Sequence, residues 1–230
     1  MRVFEQLKNK LVVSCQALEE EPLHSPMIMG RMAVAAQQGG ASGIRANSVV
    51  DIQEIKRNVD LPIIGIIKQD YPDSEVFITP TLKEVKALME VGVEMIAMDA
   101  TDHERPHGES LNDIVQYAKL HAQDIALMAD ISTVEEAIMA EQLGFDCVST
   151  TLVGYTKETK GQNIADGDFA MIKQIRESVS IPVVAEGKVD NPNKARHVLE
   201  AGADFTVVGS AITRPQLITE KFANAIKELE

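Results

Sequence analysis

Asp60-Leu61-Pro62-Ile63-Ile64 and Ser180-Ile181-Pro182-Val183-Val184 stand 120 residues apart and share one pattern, a proline followed by β-branched residues. Each opens a short apolar run, Pro62–Lys68 and Pro182–Glu186, rich in Val and Ile and without polar/apolar alternation. Such runs fit parallel strands buried on both faces. Working outward, the same kind of run occurs at Leu11–Ala17, Gly43–Asn47, Met95–Asp99, Ala126–Asp130, Cys147–Thr151 and Phe205–Gly209. That makes eight, with Pro62–Lys68 third and Pro182–Glu186 seventh.

Between them lie helical patterns. Thr81–Glu90 and Thr133–Leu143 place apolar residues three and four apart. Thr133 with Glu136 fits a capping box, and Asn191-Pro192 reads as an N-cap followed by proline in the first turn. Gly40, Gly92, Gly144 and Gly202 each precede by four residues an apolar-run position (Ile44, Ile96, Val148, Thr206), at intervals of 52, 52 and 58 residues. Each interval holds two βα units. Eight such units allow an open doubly wound sheet or a closed barrel. The quarter and half periodicity favours closure, so the expected fold is α/β, a single (β/α)8 TIM barrel. No linker divides the chain, and residues 1–230 are expected to be one domain; barrels of this class need about 200 to 250 residues.

The formal net charge is −13, and no Lys/Arg run supplies the basic face that a nucleic-acid binder needs. Any phosphate-binding function must therefore rest on a local pocket. Nothing approaches the ~18 consecutive apolar residues of a membrane span, and the first residues lack a signal-peptide core. The two cysteines, Cys15 and Cys147, lie inside apolar runs, which fits reduced thiols in a cytoplasmic protein better than a disulfide scaffold.

In a barrel of this kind chemistry collects where strands end. The polar residues there are Gln16, Arg45, Asn47, Lys68, Asp99, Asp130, Thr150, Glu186, Gly187, Gly209 and Ser210. Glu186-Gly187-Lys188 closes the seventh strand and Gly209-Ser210-Ala211-Ile212-Thr213-Arg214 the eighth. Glycine lets backbone N–H groups approach a phosphate closely, and Arg214 adds a charge-assisted contact. Lys68 and Glu186 end the third and seventh strands, which face each other across an eight-stranded barrel. A confined lysine can fall towards neutrality and act as a base, and a desolvated glutamate can hold a proton as the acid. None of the five histidines ends a strand, so no metal ligand set is expected; His103 and His107 flank Arg105 and are expected to meet substrate or water. Cys147, at the start of its strand, is too far from the mouth to be a nucleophile, and Met27, Met29 and Met32 read as core packing.

On these residues the chain resembles the N-acetylmannosamine-6-phosphate 2-epimerases of bacterial sialic acid catabolism. The resemblance runs over nearly the whole length. It is carried by Val13-Ser14-Cys15-Gln16-Ala17, Gly43-Ile44-Arg45-Ala46-Asn47, Pro62–Lys68, Asp99-Ala100-Thr101, Met128–Ser132, Thr150–Thr156, Ala185-Glu186-Gly187 and Val208–Pro215. It implies an isomerase, without metal or other cofactor, that inverts C2 of N-acetylmannosamine 6-phosphate to give N-acetylglucosamine 6-phosphate. By resemblance Lys68 is the base and Glu186 the acid, Gln16, Arg45 and Asp130 bind the ring, hydroxyls or acetamido group, and Gly187, Gly209, Ser210 and Arg214 hold the phosphate. Barrels of this family are commonly dimers, so a homodimer is the assembly to look for. Two other readings stay open: an aldolase using Lys68 as a Schiff base, and a non-catalytic sugar-phosphate sensor. A pentulose-phosphate 3-epimerase would want strand-end histidines, which are missing.

Overall fold

A computed structural model describes residues 2–227; Met1 and residues 228–230 lie outside it. Among the described residues eight strands close into one parallel barrel in sequence order. They are β1 (Leu11–Cys15), β2 (Gly43–Asn47), β3 (Ile63–Ile66), β4 (Met95–Asp99), β5 (Ala126–Asp130), β6 (Cys147–Ser149), β7 (Val183–Ala185) and β8 (Phe205–Val208). The ring is sealed by Val12 pairing with Val207 across β1 and β8. All eight expected strands are present, with three matching at both ends and the others one to three residues shorter, β3 and β7 also starting one residue later, after their prolines. They stop early because the chain leaves the ladder at the mouth.

The helices are α1 (Arg2–Leu7), α2 (Pro26–Gln38), α3 (Val49–Asn58), α4 (Leu82–Val91), α5 (Leu111–His121), α6 (Val134–Leu143), α7 (Asp166–Ser178), α8 (Pro192–Glu200), α9 (Ser210–Thr213) and α10 (Pro215–Lys227). Thr81 and Thr133 each close a capping box, with Glu84 and Glu136, and Asn191 caps α8 ahead of Pro192. Gly92 and Gly144 end α4 and α6 in the left-handed region, with φ of 73° and 97°, where a side chain would be strained. These local signals set the spacing of the repeat.

The core has two shells. Outward-facing strand residues such as Ile44, Ile63, Ile96, Leu127 and Val148 pack beneath the helices. Inward-facing Val12, Ile64, Ile66, Met95, Ala97, Met128, Cys147, Val184, Phe205 and Val207 fill the barrel. Leu7 of α1 joins this inner cluster and plugs the end opposite the strand C-termini. Met29 is fully buried, but Met27, expected in the core, is 62% exposed: it sits in the first turn of α2, on the face turned from the sheet. α10 also departs from the pattern. None of its described residues is buried, and Leu217, Phe222 and Ile226 are exposed. No helix among the described residues is long and apolar enough to cross a membrane.

At Gly65 of β3 the helix α4 and the turn that follows it press close against the sheet. A Cβ there would lie 2.9 Å from the side chains of both Leu88 and Val93. Gly65→Ala is expected to destabilise the barrel by about 1–3 kcal/mol, the usual cost of overpacking a filled core. Denaturant unfolding checks this; an unchanged midpoint would show that α4 has room to shift.

Candidate active site

A cavity of about 320 Å³ opens at the C-terminal mouth of the barrel. Side chains alternate along each strand, and the alternation continues past the ladder, so Gln16, Lys68, Thr151 and Glu186 still point inward after their strands have ended. They line the cavity with Ser14, Arg45, Gly187, Gly209, Ser210 and Arg214. The sequence reading thus found eight of the lining residues; Ser14, Thr151, Tyr155, Lys188 and Lys221 were not among its site residues.

Arg45 is the floor of the site, only 1% exposed. Its Nη1 and Nη2 donate to the two carboxylate oxygens of Asp130 at 3.1 and 2.6 Å, and Nη1 also donates to Glu186 Oε2 at 2.9 Å. One guanidinium therefore serves two carboxylates, joining β2, β5 and the end of β7. Burial disfavours the charged guanidinium, but the two carboxylates outweigh it and keep Arg45 protonated. Its Nε has no partner among the described protein groups.

With both acids ionised the trio carries a net negative charge in a poorly solvated place. Burial, with Asp130 adding to it against the pull of Arg45, pushes the Glu186 carboxyl from 4.5 to about 7. Across the mouth burial lowers the Lys68 ammonium, and the nearby Arg45 and Arg214 charges lower it further. Among the described residues Lys68 makes no salt bridge, although it shares the cavity with Glu186. The two groups are drawn towards each other in proton affinity without being locked in an ion pair.

The other polar residues singled out in the sequence do not line the cavity. Asp130 was expected against the sugar, but it is fully buried beneath Arg45, where it also accepts from Thr151 Oγ1 at 2.7 Å; it reaches the cavity only through those partners. Thr150 faces away from the cavity, its Oγ1 bonding the Glu186 carbonyl and amide at 2.7 and 3.1 Å, while Thr151, one residue on, lines the mouth. Asn47 likewise holds backbone, accepting from the Lys68 amide at 2.8 Å. These two polar strand ends brace the main chain under Glu186 and Lys68. Asp99 is buried outside the cavity and bonded to Thr101. His103 and His107 also lie outside it, beside Glu158 and Asp73 on the outer rim of the loops.

The loops after β7 and β8 approach the cavity through glycine. Gly187 has φ of 94°, and a Cβ on it would crowd the Thr150 and Thr151 carbonyls at 3.3 Å. A Cβ on Gly209 would meet Ser14 at 3.3 Å. Arg214 lies next to Ser210, donating to its hydroxyl at 3.0 Å. Among the described residues no group of three or more His, Cys, Asp or Glu is placed to hold a metal ion.

A sequence model of the family described as "Putative N-acetylmannosamine-6-phosphate epimerase" matches residues 29–228. The chain belongs to this family. It is thus an isomerase, an epimerase built on a TIM barrel. A relative from Shouchella clausii with the corresponding 2-epimerase name is 60% identical over 98% of this chain and 99% of its own length. One from an Enterobacter species is 58% identical over 98% and 96%. Among solved structures, the N-acetylmannosamine-6-phosphate 2-epimerase from Clostridium perfringens superposes with a TM-score of 0.92 at 53% identity, covering 96% of this chain and 95% of that one. Every residue of the epimerase's mouth described above except Ser14 and Gln16 lies within the span that the family model matches.

The raised carboxyl has a consequence for stability. A group with a higher pKa folded than unfolded contributes stability that is full below about 4.5 and is lost as pH rises through about 7. Glu186→Gln abolishes that dependence. The stability of Glu186→Gln relative to the native enzyme is therefore expected to improve between pH 5 and pH 8, by ~3 kcal/mol at most. Thermal melts at both pH values read it; a constant difference would show that Glu186 titrates at its ordinary value.

Proposed function

We propose that the cavity interconverts N-acetylmannosamine 6-phosphate and N-acetylglucosamine 6-phosphate by moving a proton at C2 of the ring-opened sugar, without a metal. The observation that carries this is the placement of Lys68 and Glu186 at opposite strand ends of one cavity, with proton affinities shifted towards each other. The C2–H beside the open-chain aldehyde becomes acidic only while the developing enolate, with its charge on O1, is stabilised. Lys68 takes the C2 proton from one face and Glu186 returns one from the other, which inverts the centre. Arg45 and Gln16 stabilise charge near O1, with Asp130 fixing the Arg45 fork from below. Gly187, Gly209, Ser210 and Arg214 hold the phosphate and thereby position C2.

The carboxylates that could draw a divalent cation to the floor, Asp130 and Glu186, already face the Arg45 guanidinium, which supports chemistry independent of metal. An aldolase reading needs Lys68 as a nucleophile but leaves the protonated Glu186 opposite it without a task. We further propose that residues 1–230 form one domain acting in the cytoplasm as a homodimer; the uncovered apolar residues of α10 support self-association.

Turnover in D₂O, followed by proton NMR, is expected to place deuterium at C2 of the product. Lys68→Ala and Glu186→Gln are each expected to lower the rate by about 10² to 10⁴, and prolonged EDTA treatment to leave it unchanged. Full retention of the original C2 hydrogen would overturn the proton-transfer mechanism. Near-native rates in both variants would overturn the residue assignment alone.

A further inference from the structure

The loop between β1 and α2 carries three consecutive acids, Glu19-Glu20-Glu21. Glu19 and Glu20 are exposed, as such a run would be on any soluble surface, but Glu21 turns inward. Its Oε1 lies 2.6 Å from Arg214 Nε, and its Oε2 accepts from Arg214 Nη2 at 2.9 Å. Oε1 also accepts from Gln216 Nε2 at 3.1 Å, and Oε2 from the backbone N–H of Leu18 at 2.8 Å. Burial raises the proton affinity of this carboxyl, but the Leu18 amide and Arg214 outweigh it and hold Glu21 ionised. Four contacts on one carboxylate is a built arrangement. Glu21 itself does not line the cavity; Arg214 and Ser210 do.

The geometry matters because an arginine fork has two usable edges. Glu21 lies against the Nε/Nη2 edge of Arg214, hydrogen-bonded through Nη2 and ion-paired at Nε, while Nη1 is directed to Ser210 Oγ. We propose that Glu21 is a positioning residue for phosphate recognition: it clamps one edge of Arg214 so that the other end stands ready beside Ser210 and Gly209 for the phosphate of the substrate. This rests on the reading above that Arg214 binds that phosphate. A free arginine side chain would have to be ordered at each binding event; a side chain ordered beforehand binds without that loss. The clamp also ties the first βα loop to the last, so the phosphate corner depends on a carboxylate that never meets the sugar.

The test compares native enzyme, Glu21→Gln, Glu21→Asp, Arg214→Ala and the Glu21→Gln/Arg214→Ala double variant. Two quantities are read: competitive inhibition by inorganic phosphate, and KM and kcat for N-acetylmannosamine 6-phosphate. Glu21→Gln keeps the shape and loses the charge. It is expected to raise both the phosphate inhibition constant and KM about tenfold, the loss of one charge-assisted contact, with kcat nearly unchanged. Glu21→Asp is expected to recover part of that loss. In the Arg214→Ala background the Glu21 change is expected to have no further effect, since a clamp with nothing to hold is silent. Unchanged or tighter phosphate inhibition in Glu21→Gln overturns the proposal, as does an equal loss with Arg214 already removed. If Arg214→Ala alone leaves phosphate inhibition untouched, the proposal falls together with the phosphate reading of Arg214, and that reading is identified as the fault.

Discussion

A single buried guanidinium organises the mouth of this barrel. Arg45 cannot be left unpaired at 1% exposure, because an isolated charge there would be strongly destabilising. Asp130 meets it with both oxygens and Glu186 with one, so three strand ends far apart in sequence are drawn to one point. The arrangement is asymmetric. Asp130 is fully buried and has the two-pronged contact; Glu186 has one contact and partial access to the cavity. Burial and the neighbouring Asp130 charge, working against the pull of Arg45, raise the proton affinity of Glu186 to about 7. One interaction thus joins the packing of the mouth to the raised proton affinity of Glu186.

Around that point the polar strand ends divide their work. Residues whose side chains face the axis, such as Lys68, Thr151 and Glu186, line the cavity. Asn47 and Thr150 hold the backbone of Lys68 and Glu186 in place. The loops after β7 and β8 contribute closeness instead of side chains: Gly187 and Gly209 bring main chain where any Cβ would be crowded. Rigid placement of a few groups is what the proposed enolate mechanism requires, since stabilisation must be ready where charge develops.

Much of this was legible in the sequence. Eight Val/Ile-rich runs, glycine-ended helices and the Thr133–Glu136 and Asn191-Pro192 caps are local signals, and each was realised. The candidate pair Lys68 and Glu186 was legible too, since the strand count alone places the third and seventh ends opposite one another. Glu21 was hidden because an acidic triplet in a loop looks the same whether one member turns inward or none does. Met27 was misplaced because only the helix's rotation about its axis separates it from Met29.

The sequence by itself determined the barrel, its strand order and the set of polar groups gathered at its mouth, because apolar periodicity, caps and glycine stops act over a few residues and repeat. What only the tertiary structure decided is which polar group touches which. Asp130 lies under Arg45, Thr151 and not Thr150 faces the cavity, and Glu21 reaches Arg214 across 193 positions of chain. Those pairings depend on barrel closure and on the direction each side chain takes past its strand, and no local pattern encodes either.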